Sequence, residues 1–575
     1  MSTLLKHFDT IINTPESVKA LEDLILDTAV KGKLVSQNSN DEPASLLMEK
    51  ILEEKKLLIE EKKIKKEKIL PPISEEEKPY ELPKGWEWVR LGSLSKQITD
   101  GAHKTPNYIN SGVPFLSVKN ISKGYMDFSN VKYIDEKEHL ELIKRCKPEK
   151  DDILFCRIGT LGKAIRINVD TQFSIFVSVG LIKLIKQSTA KYIELLMQSP
   201  YFYSQIEKVK VGGSHTNKIN LRDVPNFIIP LPPFAEQKRI IEKVSQLMSF
   251  CEELKKRLEK KQKIEDRVNM STFASLEKST VGEELQGNLQ FIISNLHSIC
   301  TNKKHVQQLR NAILSLAMKG KLVKQDKNDE PASVLIEKVK QGKEQLIKEK
   351  KIKKEKPLSE ITEEEKPFEL SKGWEWVRLS DITLKIVDGT HHSPKSFTKG
   401  DYLYITAKNI KNEGVDTSNV TYVTADIHQE IYSRCNVEKG DILLIKDGAT
   451  TGIATINQLD QQFSLLSSVG LIKTPSSFIS NQYLIYCFRS PFLQKQIKEL
   501  MKGSAITRIT IQKIKNLVIP LPPLNEQKRI IEKVNQLILL CDELERNLQE
   551  SKQKNDRLLK SVLQEASTVK EKVLS

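Results

Sequence analysis

The sequence predicts a mixed α/β (α+β) protein built by internal duplication. Two globular domains are expected to be joined by two long antiparallel coiled-coil helices and related by a pseudo-two-fold axis. Three observations lead to this fold class: the chain repeats itself, each copy has a β-rich middle, and each copy ends in a heptad-spaced helix. The octet KGWEWVRL at 84–91 returns unchanged at 372–379, and PLPPFAEQKRIIEKVSQL at 230–247 returns at 520–537 with few changes. A period this long indicates a duplicated domain pair and not a solenoid.

Helices come first in each copy. Within the N-terminal helical region, residues 1–79, apolar side chains recur at helical spacing through positions 4–25. The same pattern returns near the middle of the chain, inside a central helical spacer region at 234–367. A charged helix follows in each case, and the proline-rich stretch 71–83 is expected to end the first of these.

A globular domain follows each set of helices. The two domains are predicted at 80–233 and 368–523. Short β-rich runs such as Val113–Val118, Asp152–Phe155 and Val177–Ile185 are separated by Gly, Asn and Pro, which indicates compact domains of mixed structure. A size of about 150 residues is ordinary for one domain.

Each globular domain leads through Pro-Leu-Pro-Pro into a long helix, and the second of these is the C-terminal coiled-coil helix, 524–575. Apolar positions step alternately by four and three residues, which is a strong coiled-coil signal. The favoured pairing is intramolecular and antiparallel, and self-association of whole chains is the alternative. The predicted seam consists of Ile240, Val244, Leu247, Cys251, Leu254 and Leu258 in the first copy and Ile530, Val534, Leu537, Cys541, Leu544 and Leu548 in the second.

The composition points to a polyanionic partner. The net charge is +16 over 575 residues, and clustered Lys and Arg gain affinity for nucleic acid from counterion release. The alternative is that mixed charge, as at 53–69, only solvates helices. The seven cysteines form no CxxC motif, so neither a zinc site nor a disulfide scaffold is expected. Without a signal peptide or a membrane-spanning apolar stretch, we expect a cytoplasmic protein with reduced thiols.

A search for catalytic motifs finds none, and no metal site is expected. Leu231-Pro-Pro-Phe234 resembles the Asn/Asp/Ser-Pro-Pro-aromatic box of adenine methyltransferases, but leucine replaces the polar first residue. The aromatic position is Leu524 in the second copy, so we interpret both segments as domain-exit hinges. There is no GxxxxGK[ST] loop for ATP. The chain is therefore expected to be no enzyme and to bind no cofactor.

Polar loops in the globular domains are the candidate binding sites. Asp100-Gly-Ala-His-Lys-Thr-Pro106 matches Asp388-Gly-Thr-His-His-Ser-Pro394. Such a loop can reach phosphates or base edges, or can be only a turn with an Asx cap. Lys-Asn pairs at 119–120 and 408–409 follow strands; Lys pairs with guanine and Asn with adenine, although a strand-end turn explains them equally well.

Two further loops diverge between the copies, as loops that read different sequences should. They lie at 157–163 and 446–452, and at 212–218 and 503–508. The candidate DNA-contacting residues of the first copy are His103, Lys104, Thr105, Lys119, Asn120, Arg157, Thr160, Lys163, His215, Thr216 and Lys218. Those of the second copy are His391, His392, Lys408, Asn409, Lys446, Thr450, Thr451, Thr507 and Arg508.

The Pro-Leu-Pro-Pro-x-x-Glu-Gln-Lys-Arg-Ile signatures resemble those of the specificity subunits of type I restriction–modification systems. The Lys-Gly-Lys-Leu-Val…Asp-Glu-Pro-Ala-Ser blocks and the Asp-Gly-x-His loops carry the same resemblance, which covers essentially the whole chain. It implies two target-recognition domains that each read one part of a split double-stranded DNA site. It also implies assembly with two methyltransferase subunits, which use S-adenosylmethionine to methylate adenine, and with restriction subunits, which use ATP.

Competing interpretations remain open. A coiled-coil adaptor with two protein-binding heads fits the same architecture, and salt-sensitive, sequence-selective DNA binding separates the two. A recognition subunit of a related type II system, with a fused methyltransferase–nuclease partner, is another alternative. A free-standing enzyme ranks third, because no catalytic constellation is present.

Overall fold

In the computed structural model, the chain forms two compact units, each with its own hydrophobic core. The first unit contains residues 1–262 and 553–575, and the second contains residues 263–552. The structure describes residues 6–66, 68–212, 217–279, 282–354, 357–501 and 507–568, with side chains in the last range described as far as residue 562. No helix in these ranges combines the length and apolarity that a membrane crossing needs.

The first unit begins with helices that pack against its globular part. Thr14 caps the second helix, because its hydroxyl accepts a hydrogen bond from the Ser17 N–H at 3.2 Å, and Pro15 fits the first helical position. The helices of this unit are α1 (Phe8–Ile11), α2 (Pro15–Val30), α3 (Ala44–Glu60), α4 (Leu91–Leu94), α5 (Val118–Ile121), α6 (Glu136–Ile143), α7 (Ala190–Met197), α8 (Pro200–Val209) and the beginning of α9 (Phe234–Lys278).

Two sheets and a strand pair form the globular part of the first unit. The strands are β1 (Glu87–Arg90), β2 (Ser95–Asp100), β3 (Val113–Leu116), β4 (Lys132–Ile134), β5 (Ile153–Cys156), β6 (Ala164–Arg166), β7 (Ser174–Ile175), β8 (Val179–Leu184) and β9 (Ile228–Leu231). An antiparallel sheet has the order β2-β8-β5-β6, and a mixed sheet has the order β4-β3-β7. β1 pairs with β9, which places the entry of the domain beside its Pro-Leu-Pro-Pro exit.

The second unit repeats this topology. Its helices are the end of α9, α10 (Glu283–Ser294), α11 (Leu296–Ile299), α12 (Lys303–Met318), α13 (Ala332–Lys348), α14 (Ala425–Arg434), α15 (Asn481–Arg489), α16 (Pro491–Leu500), α17 (Ile511–Lys515) and the beginning of α18 (Leu524–Thr568). Its strands are β10 (Glu375–Arg378), β11 (Lys385–Asp388), β12 (Tyr402–Ile405), β13 (Ile410–Lys411), β14 (Gly414–Val415), β15 (Thr421–Val423), β16 (Ile442–Ile445), β17 (Ala454–Ile456), β18 (Phe463–Leu465), β19 (Val469–Lys473) and β20 (Val518–Leu521). The sheet orders β11-β19-β16-β17 and β15-β12-β18 match those of the first unit, with β13-β14 as an added hairpin.

The two long helices, α9 and α18, each begin in one unit and end in the other. In the first unit, Ile240, Val244 and Cys251 are buried in a cluster that also contains Val562 from the end of α18. In the second unit, Phe273 from the end of α9 shares a cluster with the beginning of α18. Every predicted seam residue is buried or half-buried in one of these clusters. The start of one long helix therefore packs in the same core as the end of the other, as an antiparallel pair requires.

The mixed fold class and the duplication predicted from the sequence are confirmed. Several element ends differ. α3 ends at Glu60 through a left-handed turn at Lys62 (φ 57°), well before the prolines that were expected to end it. The run predicted as one strand at 113–118 is divided, because the strand ends at Leu116 and a short helix follows. The first predicted apolar positions, Leu4 and Leu5, lie outside the described residues.

Candidate nucleic-acid interface

The predicted loops of the first unit meet at one end of its four-stranded sheet. β2 and β5 end at this edge and β8 begins there, so the loops that follow or precede them are neighbours. Hydrogen bonds tie the loops together. They run from the Val177 N–H to the Ala102 carbonyl (2.9 Å), from the Gly159 N–H to the Asn217 carbonyl (2.9 Å) and from the Val118 N–H to the Ser178 hydroxyl (3.2 Å).

A buried aspartate lies at the centre of these loops. The Asp100 side chain is only 3% exposed, and its carboxylate accepts hydrogen bonds from the Arg157 and Arg145 guanidinium groups. His103 contacts the same carboxylate through Nε2 at 3.0 Å. Arg157 also donates to the carbonyl oxygens of Val177 and Ile219, both at 3.2 Å. One carboxylate therefore orients three side chains, of which the farthest, Arg157, lies 57 residues away in the sequence.

The second unit has the same arrangement around Asp388. Lys446 takes the place of arginine, with its ammonium 3.4 Å from the Asp388 carboxylate and 3.2 Å from that of Asp447. Arg434 Nη2 lies 3.3 Å from the Asp388 carboxylate, and His391 Nε2 lies at the same distance. Both units thus contain a buried aspartate paired with a largely buried cation. The cation is Arg157 in the first unit and Lys446 in the second.

The glycine after each aspartate is required by close packing. A β-carbon on Gly101 would lie 1.9 Å from the Ile175 carbonyl oxygen, and one on Gly389 would lie 1.9 Å from that of Leu465. These distances are impossible for real atoms, so only glycine lets the loop lie flat against the neighbouring strand. The Asp-Gly pair in both motifs therefore has a structural explanation.

Both predicted Asn candidates are used within the protein. The Asn120 Oδ1 accepts from the Ser117 N–H at 2.9 Å, and its Nδ2 donates to the carbonyl oxygens of Asp127 and Asn130. Asn409 makes the matching set of bonds in the second unit. These contacts are those of the strand-end turn, which was the alternative to base reading.

Arg157 and Lys446 are also committed to internal contacts. Their side chains are 11% and 8% exposed and are paired with the buried aspartates. These contacts, like those of the two asparagines, position the loops, and DNA contact by all four residues stays a prediction. Thr451 and Thr507 both donate through their hydroxyl groups to the Gly448 carbonyl, at 2.7 and 3.1 Å.

Most other candidates lie at the surface of the same loop cluster. Lys163 is half-buried, with its ammonium 6.0 Å from the centroid of the Tyr203 ring. His215 and Thr216 lie outside the described residues. The exposed candidates are His103, Lys104, Thr105, Lys119, Thr160 and Lys218 in the first unit and His391, His392, Lys408, Thr450, Thr507 and Arg508 in the second. For these residues, DNA contact stays a prediction.

Arg145 and Arg434 were not among the site residues predicted from the sequence. Both are half-exposed beside the buried aspartates. Each is followed by a buried cysteine, Cys146 or Cys435, and then by matching Glu-Lys and Asp-Ile-Leu residues in both copies. That repeated Arg-Cys pair was the available signal. Among the described residues, no group of three or more His, Cys, Asp or Glu side chains is placed to hold a metal ion.

Comparison with known proteins identifies the family. Residues 83–266 and 371–551 match the type I restriction modification DNA specificity domain. The specificity subunit of the type I restriction enzyme EcoAI from Escherichia coli is 32% identical over 560 residues, covering 93% of this chain and 91% of that protein. The corresponding EcoEI subunit from Escherichia coli is 31% identical over 569 residues, with the same coverage. A solved chain, from work on complex assembly and conformational transition of the type I R-M system, has 18% identity and a TM-score of 0.49, covering 85% of this chain and 99% of that one. The chain belongs to the family of type I restriction–modification specificity subunits.

Proposed function

We propose that this chain selects the DNA sequence for a type I restriction–modification complex by reading a site of two different halves, one with each unit. One observation carries the proposal. In both units, the predicted loops converge at the same end of the same sheet, around a matched buried aspartate. The sheet and the buried aspartate are common to both units, while the exposed loop residues differ. Two domains that recognise different half-sites need this arrangement.

The exposed side chains have the chemistry for this task. Lys, Arg and His supply donors for phosphates and for guanine, and threonine hydroxyls can contact any base edge. The loops at 157–163 and 446–452 differ almost completely in residue type. They are therefore the first candidates for base reading, with the segments around Lys218 and Arg508 beside them.

We also propose a division of labour with partner subunits. Two methyltransferase subunits, carrying S-adenosylmethionine, would methylate adenine within the site, and restriction subunits, carrying ATP, would cleave. The sequence supports this division, because it contains neither a methyltransferase box with a polar first residue nor a phosphate-binding loop. The complex would act in the cytoplasm, where the DNA is.

We propose that α9 and α18 set the length of the non-specific gap between the half-sites. Each helix has 45 residues, which corresponds to about 68 Å at 1.5 Å per residue. This is about two turns of B-DNA.

Methylome sequencing tests the function directly. The chain would be expressed with its cognate methyltransferase subunits in a host without other adenine methylation. A single bipartite methylated motif is expected. Two results together would favour the protein-binding adaptor instead. No such motif would be found, and the purified complex would bind DNA without discriminating between sequences at any salt concentration.

A further inference from the structure

One arginine in each unit lies beside the predicted loops, and its Nη2 makes matching contacts in both units; in Arg145, Nη1 also donates to the Asp100 carboxylate at 3.2 Å. Arg145 follows α6, and Arg434 is the last residue of α14. Nη2 of each arginine donates to the carbonyl of the buried aspartate, at 2.8 Å for Asp100 and 3.0 Å for Asp388. It also donates to the carbonyl of the following glycine. Both side chains remain about half exposed, at 52% and 53%.

These contacts leave donors of the guanidinium available. A guanidinium has five N–H donors in a planar fork. In Arg434, all hydrogen bonds to described residues come from Nη2, so Nε and Nη1 donate to none of them. The exposed imidazole of His391 lies beside it, on the same Asp388 carboxylate. A fixed guanidinium with free donors, next to an exposed histidine, matches an anion that presents several oxygen atoms.

The local charge favours an anion most clearly in the first unit. There, Arg145 and Arg157 share the single carboxylate of Asp100, which leaves one positive charge in excess. In the second unit, Asp447 contacts Lys446 and offsets that excess. The anion should therefore be held more tightly in the first unit.

We propose that Arg145 with His103, and Arg434 with His391, each bind one phosphate of the DNA backbone. The inference rests on the proposed function and adds sequence-independent contacts to it. The arginine and histidine are the same in both units, whereas the neighbouring loops differ. Two different half-sites have only the sugar–phosphate backbone in common, so an identical side-chain pair should bind the backbone.

The test uses the full-length chain in complex with its methyltransferase subunits. The affinity of Arg145→Gln for the cognate duplex and for a duplex with a scrambled first half-site would be measured across a salt series. Loss of one phosphate contact should reduce the steepness of log K against log salt concentration by about 0.9. The affinity at 0.1 M salt should therefore fall about eightfold. The ratio between the two duplexes should not change.

The matched control is Lys144→Gln. Lys144 is the adjacent residue, 68% exposed and paired with Glu141 at 2.6 Å, so this variant removes the same charge without touching the cluster. Its salt slope should equal that of the wild type. Arg434→Gln repeats the test in the second unit, where a smaller loss is expected. If Arg145→Gln lowers the melting temperature, the same measurements are made on His103→Gln. That variant leaves the buried ion pair between Asp100 and Arg157 intact.

Two results would overturn the proposal. Loss of discrimination at the first half-site, with the salt slope unchanged, would make Arg145 a base reader. Unchanged affinity and slope in Arg145→Gln, His103→Gln and Arg434→Gln would mean that the cluster only fixes the loop. Failure of the proposed function is a separate outcome, because the wild-type complex itself would then not discriminate between the duplexes.

Discussion

Replacing Asp100 with alanine should destabilise the first unit strongly. The Asp100 and Arg157 side chains are 3% and 11% exposed, so the change leaves a buried guanidinium without its counter-ion. Removing one partner of a buried pair costs about 3–5 kcal/mol. The first unit contains 285 residues, so this loss corresponds to a decrease in melting temperature of about 5–8 °C, at an unfolding entropy of about 2.1 cal/mol/K per residue. Calorimetry of the full-length protein would measure the shift, which should be confined to the transition of the first unit.

A double variant separates the missing counter-ion from other effects. Asp100→Ala combined with Arg157→Met removes both charges, and most of the lost stability should return, because apolar replacement of a buried pair is close to neutral. Asp170→Ala is the matched control. Asp170 is 83% exposed and pairs with Lys150 at 3.0 Å, so its loss should cost less than about 1 kcal/mol. Two results would refute the reasoning. One is a double variant that is no more stable than Asp100→Ala, and the other is an equal decrease in melting temperature for Asp100→Ala and Asp170→Ala.

The purified chain alone should show no methyltransferase, nuclease or ATPase activity, and robust methyl transfer by it would contradict the division of labour. Exchanging residues 84–229 for the equivalent domain of another such subunit should change one half of the methylated motif and leave the other intact. Inserting four residues after Leu258 adds about 6 Å of helix, which should lengthen the non-specific gap by one or two base pairs without altering either half-site. An unchanged gap in a folded complex would show that the helix does not set the gap length. Burial holds the pKa of His139 below its ordinary value of 6.5, so its contribution to stability is complete above pH 6.5 and is lost as the pH falls; His139→Gln should flatten the decline in unfolding free energy below that pH.

The sequence by itself determined the plan of the molecule. Repeated blocks such as KGWEWVRL require that a second copy of the fold exists. The alternating four- and three-residue spacing from Ile240 to Leu258 predicted the buried face of α9, because helical period depends on local sequence alone. The loops that meet at the end of each sheet were also recognisable in advance, since Gly- and Pro-bounded polar segments between apolar runs are turns for local reasons.

Only the tertiary structure decided which charged side chains face inward. Arg157 and Lys163 belong to the same polar loop, yet Arg157 is paired with an aspartate 57 residues earlier in the chain. Arg145 lies in the turn after α6 and becomes part of the candidate site only because its guanidinium reaches the carbonyl groups of Asp100 and Gly101. Period and turn propensity carry no information about such partners. The partner of a buried carboxylate is chosen by the packing of distant strands, because an unpaired charge there would cost several kcal/mol, and that packing exists only in the folded protein.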